Sequence, residues 1–143
     1  MQVALFGGTG FVGSYIIREL IHEGYIPRVL MRIGSESKIT SICEIVSGSI
    51  QDENVITNTI QGTDAIIYNI GIIREFPNKN ITYEKLHYEG VKRCINLANK
   101  LDVKRFILMS ANGVKPDGTG YQKTKWQAEE ELIASDLEWT IFR

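Results

Sequence analysis

The sequence predicts a doubly wound, parallel α/β sheet with strand order 3-2-1-4-5-6. Three observations lead there. Short apolar runs rich in β-branched residues recur along the chain, stretches with helical spacing lie between most of them, and the first run ends in a glycine-rich turn that opens a helix. Alternating strands and helices build a parallel sheet, and the right-handedness of parallel crossovers narrows its winding to this order. At 143 residues and 43% hydrophobic, the chain is expected to form one domain, residues 1–143, with a core of its own.

The first strand is expected from Gln2 to Phe6. A helix from about Gly10 to Glu23 follows, with Phe11, Val12, Tyr15, Ile16 and Leu20 at helical spacing and Gly24 as its stop. Further strands are expected over Ile26 to Arg32, Ile42 to Ser47 and Ala65 to Ile70. A long helix from Tyr83 to Lys100 carries the stripe Leu86, Val91, Ile95, Leu97 and Ala98, with Lys100 near the negative end of its dipole. A strand over Arg105 to Ser110 leads to a helix beginning near Tyr121, which carries Trp126, Ala128, Leu132 and Ile133. On that helix Glu129, Glu130 and Glu131 are expected to form a solvated face. The last strand, Trp139 to Phe142, is followed only by Arg143. Substrate contacts in such sheets often come from later segments, so a C-terminal substrate segment is expected to be missing here. No internal repeat, low-complexity segment or linker interrupts this order.

The turn Gly7-Gly8-Thr9-Gly10-Phe11-Val12-Gly13 contains Gly-x-Gly-x-x-Gly, starting at Gly8, between the first strand and the first helix. In that context the glycines serve a tight turn, an approach of bare backbone to phosphate oxygens, and close helix-to-strand packing. The helix N–H groups and dipole favour the anion. These are the marks of a Rossmann-type dinucleotide site, with Gly7, Thr9, Gly10, Phe11, Val12 and Gly13 as its pyrophosphate cradle. Specificity is read at the end of the second strand, where an acid selects the ribose 2′-OH and an Arg suits a 2′-phosphate. Here the chain reads Val29-Leu30-Met31-Arg32-Ile33-Gly34 and offers no acid. Arg32, helped by Lys38, therefore favours NADP(H), with NAD(H) as the alternative.

Composition excludes several other classes. Lys+Arg 16 against Asp+Glu 17 leaves a net charge of −1, so no broad basic field exists to hold a nucleic-acid backbone. Cys43 and Cys94 are too few and too far apart for a zinc cage or a disulfide framework, and no metal site is expected. Both are expected as plain buried thiols in a reducing compartment. Met1 leads directly into a strand, and no apolar run approaches the roughly 20 residues of a membrane helix, so a cytoplasmic location is expected.

Several segments together resemble the atypical short-chain dehydrogenases/reductases, and among them the group similar to the 39 kDa accessory subunit of respiratory complex I. Gly7-x-x-Gly10-x-x-Gly13 has that superfamily's spacing. The run from Asp64 to Glu75, Asp-Ala-Ile-Ile-Tyr-Asn-Ile-Gly-Ile-Ile-Arg-Glu, is similar to the group's fourth strand and following loop, with Gly71 at the cofactor. His87-Tyr88-Glu89-Gly90 resembles its His-x-x-Gly helix entry, and Lys104 to Ala111 its fifth strand. Tyr121-Gln122-Lys123-Thr124-Lys125 resembles the superfamily's Tyr-x-x-x-Lys, followed by Ala128-Glu129, and Leu137 to Arg143 resembles the sixth strand.

The resemblance implies that Tyr121 gives or takes a proton, while Lys125 acts as its electrostatic partner and bonds the nicotinamide ribose. The chemistry is sound, since a nearby ammonium favours phenolate and helical spacing puts the two residues on one face. It also implies a hydroxyl near the end of the fifth strand that polarises the substrate oxygen. Ser110 stands one place early for this role, and Ala111 occupies the usual position. His87 stands where classical members place a water-holding Asn, and is a candidate proton relay or ligand donor. The segment from Val114 to Gly120 is shorter than the loop that shapes the sugar site of sugar-nucleotide epimerases, which weighs against that activity.

Three functions are consistent with these residues. The first is an NADPH-dependent oxidoreductase acting on a small carbonyl or hydroxyl compound, with Tyr121, Lys125, Ser110 and His87 at its centre. The second is a cofactor-holding structural or assembly subunit, peripheral to the inner face of a membrane in a respiratory-type complex. The third is a sensor that reports the NADPH/NADP ratio to a protein partner.

Overall fold

The computed structural model describes residues 1–35 and 42–143. Six strands form one sheet in the order β3-β2-β1-β4-β5-β6, with every neighbouring pair parallel. They are β1 (Gln2–Phe6), β2 (Ile26–Met31), β3 (Glu44–Ser47), β4 (Ala65–Tyr68), β5 (Arg105–Met109) and β6 (Glu138–Phe142). The helices are α1 (Phe11–His22), α2 (Glu53–Ile60), α3 (Gly90–Lys100) and α4 (Gly120–Ile133). A 3₁₀ turn covers Pro77–Lys79, and a π-helical turn, Glu84–Glu89, runs directly into α3. This is the predicted winding. The chain reverses direction at β1, which pairs through Leu5 with Val29 of β2 on one side and Ile67 of β4 on the other. In such sheets the crevice at the reversal, beyond the carboxyl ends of the strands, is where ligands bind.

Side chains alternate along a strand, so the sheet buries two separate sets. Ala4 and Phe6 of β1, Ile66 and Tyr68 of β4, and Phe106 and Leu108 of β5 pack against α2, α3 and α4 through residues such as Ile56, Ile60, Val91, Ile95, Ala128 and Leu132. On the other face Leu5, Val29 and Met31 pack against Ile17 of α1. No helix among the described residues is long and apolar enough to cross a membrane.

Two expectations are corrected, those for Glu129 and Cys43, and two features are added, the buried side of α1 and the helix α2. The buried side of α1 is Gly13 and Ile17, with Ile16 and Ile21 at its edge, whereas Phe11 and Tyr15 are 80% and 55% exposed. Gly13 has to lie against the glycine turn, and residues two positions away on a helix point to the opposite side. Glu129 is buried rather than solvated, because the ends of β5 and β6 bring Ser110 and Arg143 onto it. Cys94 is buried as expected, but Cys43 is only half-buried, since it precedes the edge strand β3. Finally, α2 lies in a segment for which no element was expected. Its Thr57, Asn58 and Thr59 are poor helix formers, but Asp52 caps it by accepting from the N–H groups of Asn54 and Val55, and Ile56 and Ile60 bury one side.

The start of α4 is held by a capping box. Thr119 accepts from the Gln122 N–H, and the Gln122 side chain accepts from the Thr119 N–H. This fixes the first turn of α4, and with it the placement of Tyr121 and Lys125.

Candidate cofactor and catalytic site

Beyond the carboxyl ends of β1, β2, β4 and β5 lies a cavity of about 730 Å3. Its floor is the glycine turn, and two of the glycines are required by the backbone. Gly7 has φ +93°, and a Cβ there would meet the Asn69 carbonyl carbon at 2.7 Å. A Cβ on Gly13 would lie 2.1 Å from the Gly7 oxygen and 2.7 Å from the Gly8 Cα, so α1 can approach β1 only through a bare residue. Gly10 differs: its φ is −81°, and a Cβ would find only the Gly7 oxygen, at 3.7 Å. It is the N-cap of α1, has no side chain to cap the first turn, and no acid lies within that turn. The positive end of the helix therefore faces the cavity with its donors available to an anion.

Of the residues named from the sequence, Gly7, Thr9, Gly10, Phe11, Val12, Arg32, Gly71, Ser110, Tyr121 and Lys125 all line this cavity. Gly13 lies beneath the turn and His87 is buried behind Ile72, while Lys38 lies outside the described residues. Sequence reasoning missed Ser49, Ile50 and Gln51 after β3, and the loop that carries Arg74 and Lys79, which also line it. Gln51 donates to the Asn80 carbonyl, drawing that loop across to the β3 side. A loop's long-range destination leaves no mark in local spacing. The lining residues include four cations, Arg32, Arg74, Lys79 and Lys125, and, among the described residues, no carboxylate, so the charge suits a ligand carrying several phosphates.

Lys125 is buried on α4, and its Nζ donates to the Met109 carbonyl at 3.0 Å and lies 3.5 Å from the Ile70 carbonyl. A Cβ on Gly71 would be 3.5 Å from this nitrogen, so Gly71 leaves the ammonium uncovered toward the cavity. Burial lowers the Lys125 pKa to about 8, while the charge of Glu129, one turn along the helix, pulls it back up. Tyr121 stands one turn earlier, edge-on to the rings of Tyr83 and His87 at 5.8 and 5.1 Å. Tyr83 stacks on His87 and donates its hydroxyl proton to the Ile73 carbonyl, which ties this aromatic group to the loop after β4.

His87 sits in the π-helical turn and is 1% exposed. Its Nε2 accepts the Ile72 N–H at 3.0 Å, so its hydrogen is on Nδ1, which donates to Thr124 Oγ1 at 3.2 Å. Thr124 passes its own hydrogen to the Gly120 carbonyl. Burial, and then the charge of Lys125, lower the His87 pKa to about 3. The ring is therefore neutral at physiological pH, and both nitrogens hold protein groups: it ties the loop after β4 to α4.

A depressed folded-state pKa contributes stability that is present above the unfolded value, about 6.5, and is lost as pH falls toward 3. His87→Gln can keep both hydrogen bonds but cannot take up the proton. Wild type is expected to lose up to about 3 kcal/mol more than this variant between pH 6.5 and 4. Urea unfolding at the two pH values measures the difference, and parallel losses would remove His87 from the linkage.

Ser110 lines the cavity, yet its hydroxyl proton is committed to Glu129. Glu129 is 1% exposed and also receives Arg143, through Nη2 at 2.6 Å and Nε at 3.2 Å. Among the described residues, one group could bring three metal-ligand atoms together, Glu19, His22 and Glu23. All three are exposed at the end of α1, outside the cavity lining.

A glycine turn at a helix N-terminus, a cationic crevice at the sheet reversal and a buried lysine below it define a dinucleotide-binding domain. The sequence profile of the NAD(P)H-binding family matches residues 7–143, and the chain belongs to that family. Over 97% of its length the chain is 29% identical to the mitochondrial NADH-ubiquinone oxidoreductase 40 kDa subunit of Neurospora crassa, covering 38% of that protein. It is 26% identical to the ceramide reductase of Caulobacter vibrioides over 99% of this chain and 44% of that one. A short-chain dehydrogenase/reductase superfamily protein from Agrobacterium tumefaciens, solved with bound NAD, shares the fold: TM-score 0.82, 21% identity, 100% of this chain and 48% of that one. The chain thus spans less than half the length of each of these proteins.

Proposed function

We propose that this chain is the cofactor-binding part of an NADP(H)-dependent oxidoreductase acting on a small carbonyl or hydroxyl compound. The observation that carries the proposal is the buried Lys125 ammonium, held on two backbone carbonyls beside Gly71 and one helical turn from Tyr121. The N-terminal turn of α1 holds the pyrophosphate, Arg32 meets the 2′-phosphate, and Lys125 donates to the nicotinamide ribose. A nicotinamide dinucleotide held here gives or accepts a hydride. Tyr121 passes a proton to or from the substrate oxygen, with Lys125 stabilising its anionic form. His87 acts from behind, fixing Ile72 and Thr124 so that the cavity wall and α4 keep their spacing.

The preference for NADP(H) rests on Arg32, with no carboxylate among the described lining residues. Titration calorimetry with both reduced cofactors tests it. NADPH is expected to bind about tenfold or more tightly than NADH, in keeping with a charge-assisted phosphate contact, and Arg32→Gln to erase the difference. Equal affinities in wild type would remove Arg32 from this role.

A second reading is favoured by the commitment of Ser110 to Glu129, which leaves its hydroxyl without a proton for a substrate oxygen. On this reading the chain holds NADP(H) without turnover, as a structural or assembly subunit at the inner face of a membrane or as a redox sensor. Bound nucleotide would stabilise the fold by mass action. The similarity to the Neurospora subunit supports this alternative.

A further inference from the structure

The geometry points to Glu129, clamped by Arg143, as the positioning residue of this site: it orients the Ser110 hydroxyl and maintains the charge on Lys125. This rests on the assignment of Lys125 to the nicotinamide ribose. Glu129 is an inward-facing carboxylate buried on α4, and a buried charge is tolerated only when paired and hydrogen-bonded. It is satisfied from two strands, by the Ser110 hydroxyl at the end of β5 and by the Arg143 guanidinium after β6, whose side chain is 59% exposed. The Ser110 N–H in turn donates to the Phe142 carbonyl, closing the unit across the β5–β6 end.

Two consequences follow. Ser110 gives its proton to a carboxylate, so it turns acceptor lone pairs rather than a donor toward the cavity. Such an atom suits the hydroxyl of an alcohol better than the oxygen of a carbonyl. Lys125, in addition, keeps a counter-charge one turn away on its own helix. Of the other titratable groups, His87 on the π-helical turn is neutral, Tyr121 stands one turn earlier on α4, Arg143 acts through Glu129, and Arg32, Arg74 and Lys79 line the same cavity as this amine. The loop after β4 and the end of β5 meet Lys125 through carbonyl oxygens. Glu129 is thus the anion that opposes the loss of the Lys125 proton on burial.

The experiment is a pH series of binding constants for NADPH and for adenosine 2′,5′-bisphosphate, a fragment with no nicotinamide ribose. In wild type the affinity ratio of NADPH to fragment is expected to fall about tenfold as pH rises through 8, where Lys125 loses its proton. Glu129→Gln keeps the shape and removes the charge, and is expected to move that midpoint down by about one pH unit. Arg143→Gln, at an exposed side chain, removes the competing guanidinium and is expected to move it up. Fragment affinity is expected to stay unchanged in both variants. Opposite shifts cannot come from general loosening, which would weaken both ligands in both variants. If Glu129→Gln does not fold, the Arg143→Gln shift decides alone, upward in support and downward or absent against. Both midpoints falling together, or neither moving, overturns the role of Glu129 while leaving Lys125 at the ribose. A wild-type ratio that is flat across pH 8 overturns the assignment of Lys125 itself, and this inference with it.

Discussion

Gly13→Ala is expected to unfold the domain or lower its melting temperature by about 10 °C or more, whereas Gly10→Val is expected to leave it folded and unable to bind nucleotide. The contrast lies in what a side chain would meet. At Gly13 a Cβ runs into the Gly7 oxygen at 2.1 Å and the Gly8 Cα at 2.7 Å. Backbone atoms at the α1–β1 contact cannot rotate away, so relief requires moving the helix off the sheet. Overpacking of this kind costs about 3 kcal/mol or more, which at this chain length corresponds to about 10 °C. At Gly10 the backbone angles suit any residue, and the nearest obstruction is 3.7 Å away. The folded state loses only a favourable N-cap residue, about 1 kcal/mol. The isopropyl group, however, occupies the space before the first turn of α1, where the pyrophosphate is proposed to lie. A loss of about 100-fold or more in NADPH affinity is expected, equivalent to about 3 kcal/mol. Thermal melts with and without nucleotide read both effects. A folded Gly10→Val protein with unchanged affinity would take the pyrophosphate away from this turn.

Tyr121→Phe is expected to lower turnover by about 100-fold or more if the chain belongs to an enzyme, with NADPH affinity nearly unchanged, because general acid/base groups commonly contribute that much. Lys125→Ala is expected to lower both turnover and affinity. The phenol meets the reacting oxygen alone, whereas the ammonium serves the ribose and the phenol together. In a structural or sensing subunit, Tyr121→Phe would be silent in every assay, while Lys125→Ala would weaken nucleotide binding. Nicotinamide fluorescence titration together with a carbonyl-substrate screen on both variants separates the two functions. If neither substitution changes affinity, stability or activity, the Tyr-Lys pair takes part in neither binding nor chemistry.

What the sequence determined by itself is the set of features written in local chemistry. β-Branched runs separated by helical spacing specify parallel strands and crossovers, and the observed sheet order follows from them. The glycine turn was legible because backbone geometry restricts residue type at single positions: Gly7 adopts a left-handed φ, and Gly13 has no room for a Cβ. Arg32 was legible because it stands at the end of the second strand, and Tyr121 and Lys125 through their resemblance to the superfamily's Tyr-x-x-x-Lys. Tertiary structure alone decided the matters that depend on what meets what. Glu129 reads as one of three solvated acids until β5 and β6 close over it, and His87 reads as a candidate proton relay until Ile72 and Thr124 take both of its nitrogens. Phe11 and Tyr15 recur at helical spacing, but the helix turns them outward because Gly13 must face inward. Periodicity records which residues share a side of an element. Only packing decides which side is buried, and a charge becomes buried or a histidine neutral through partners that are distant along the chain.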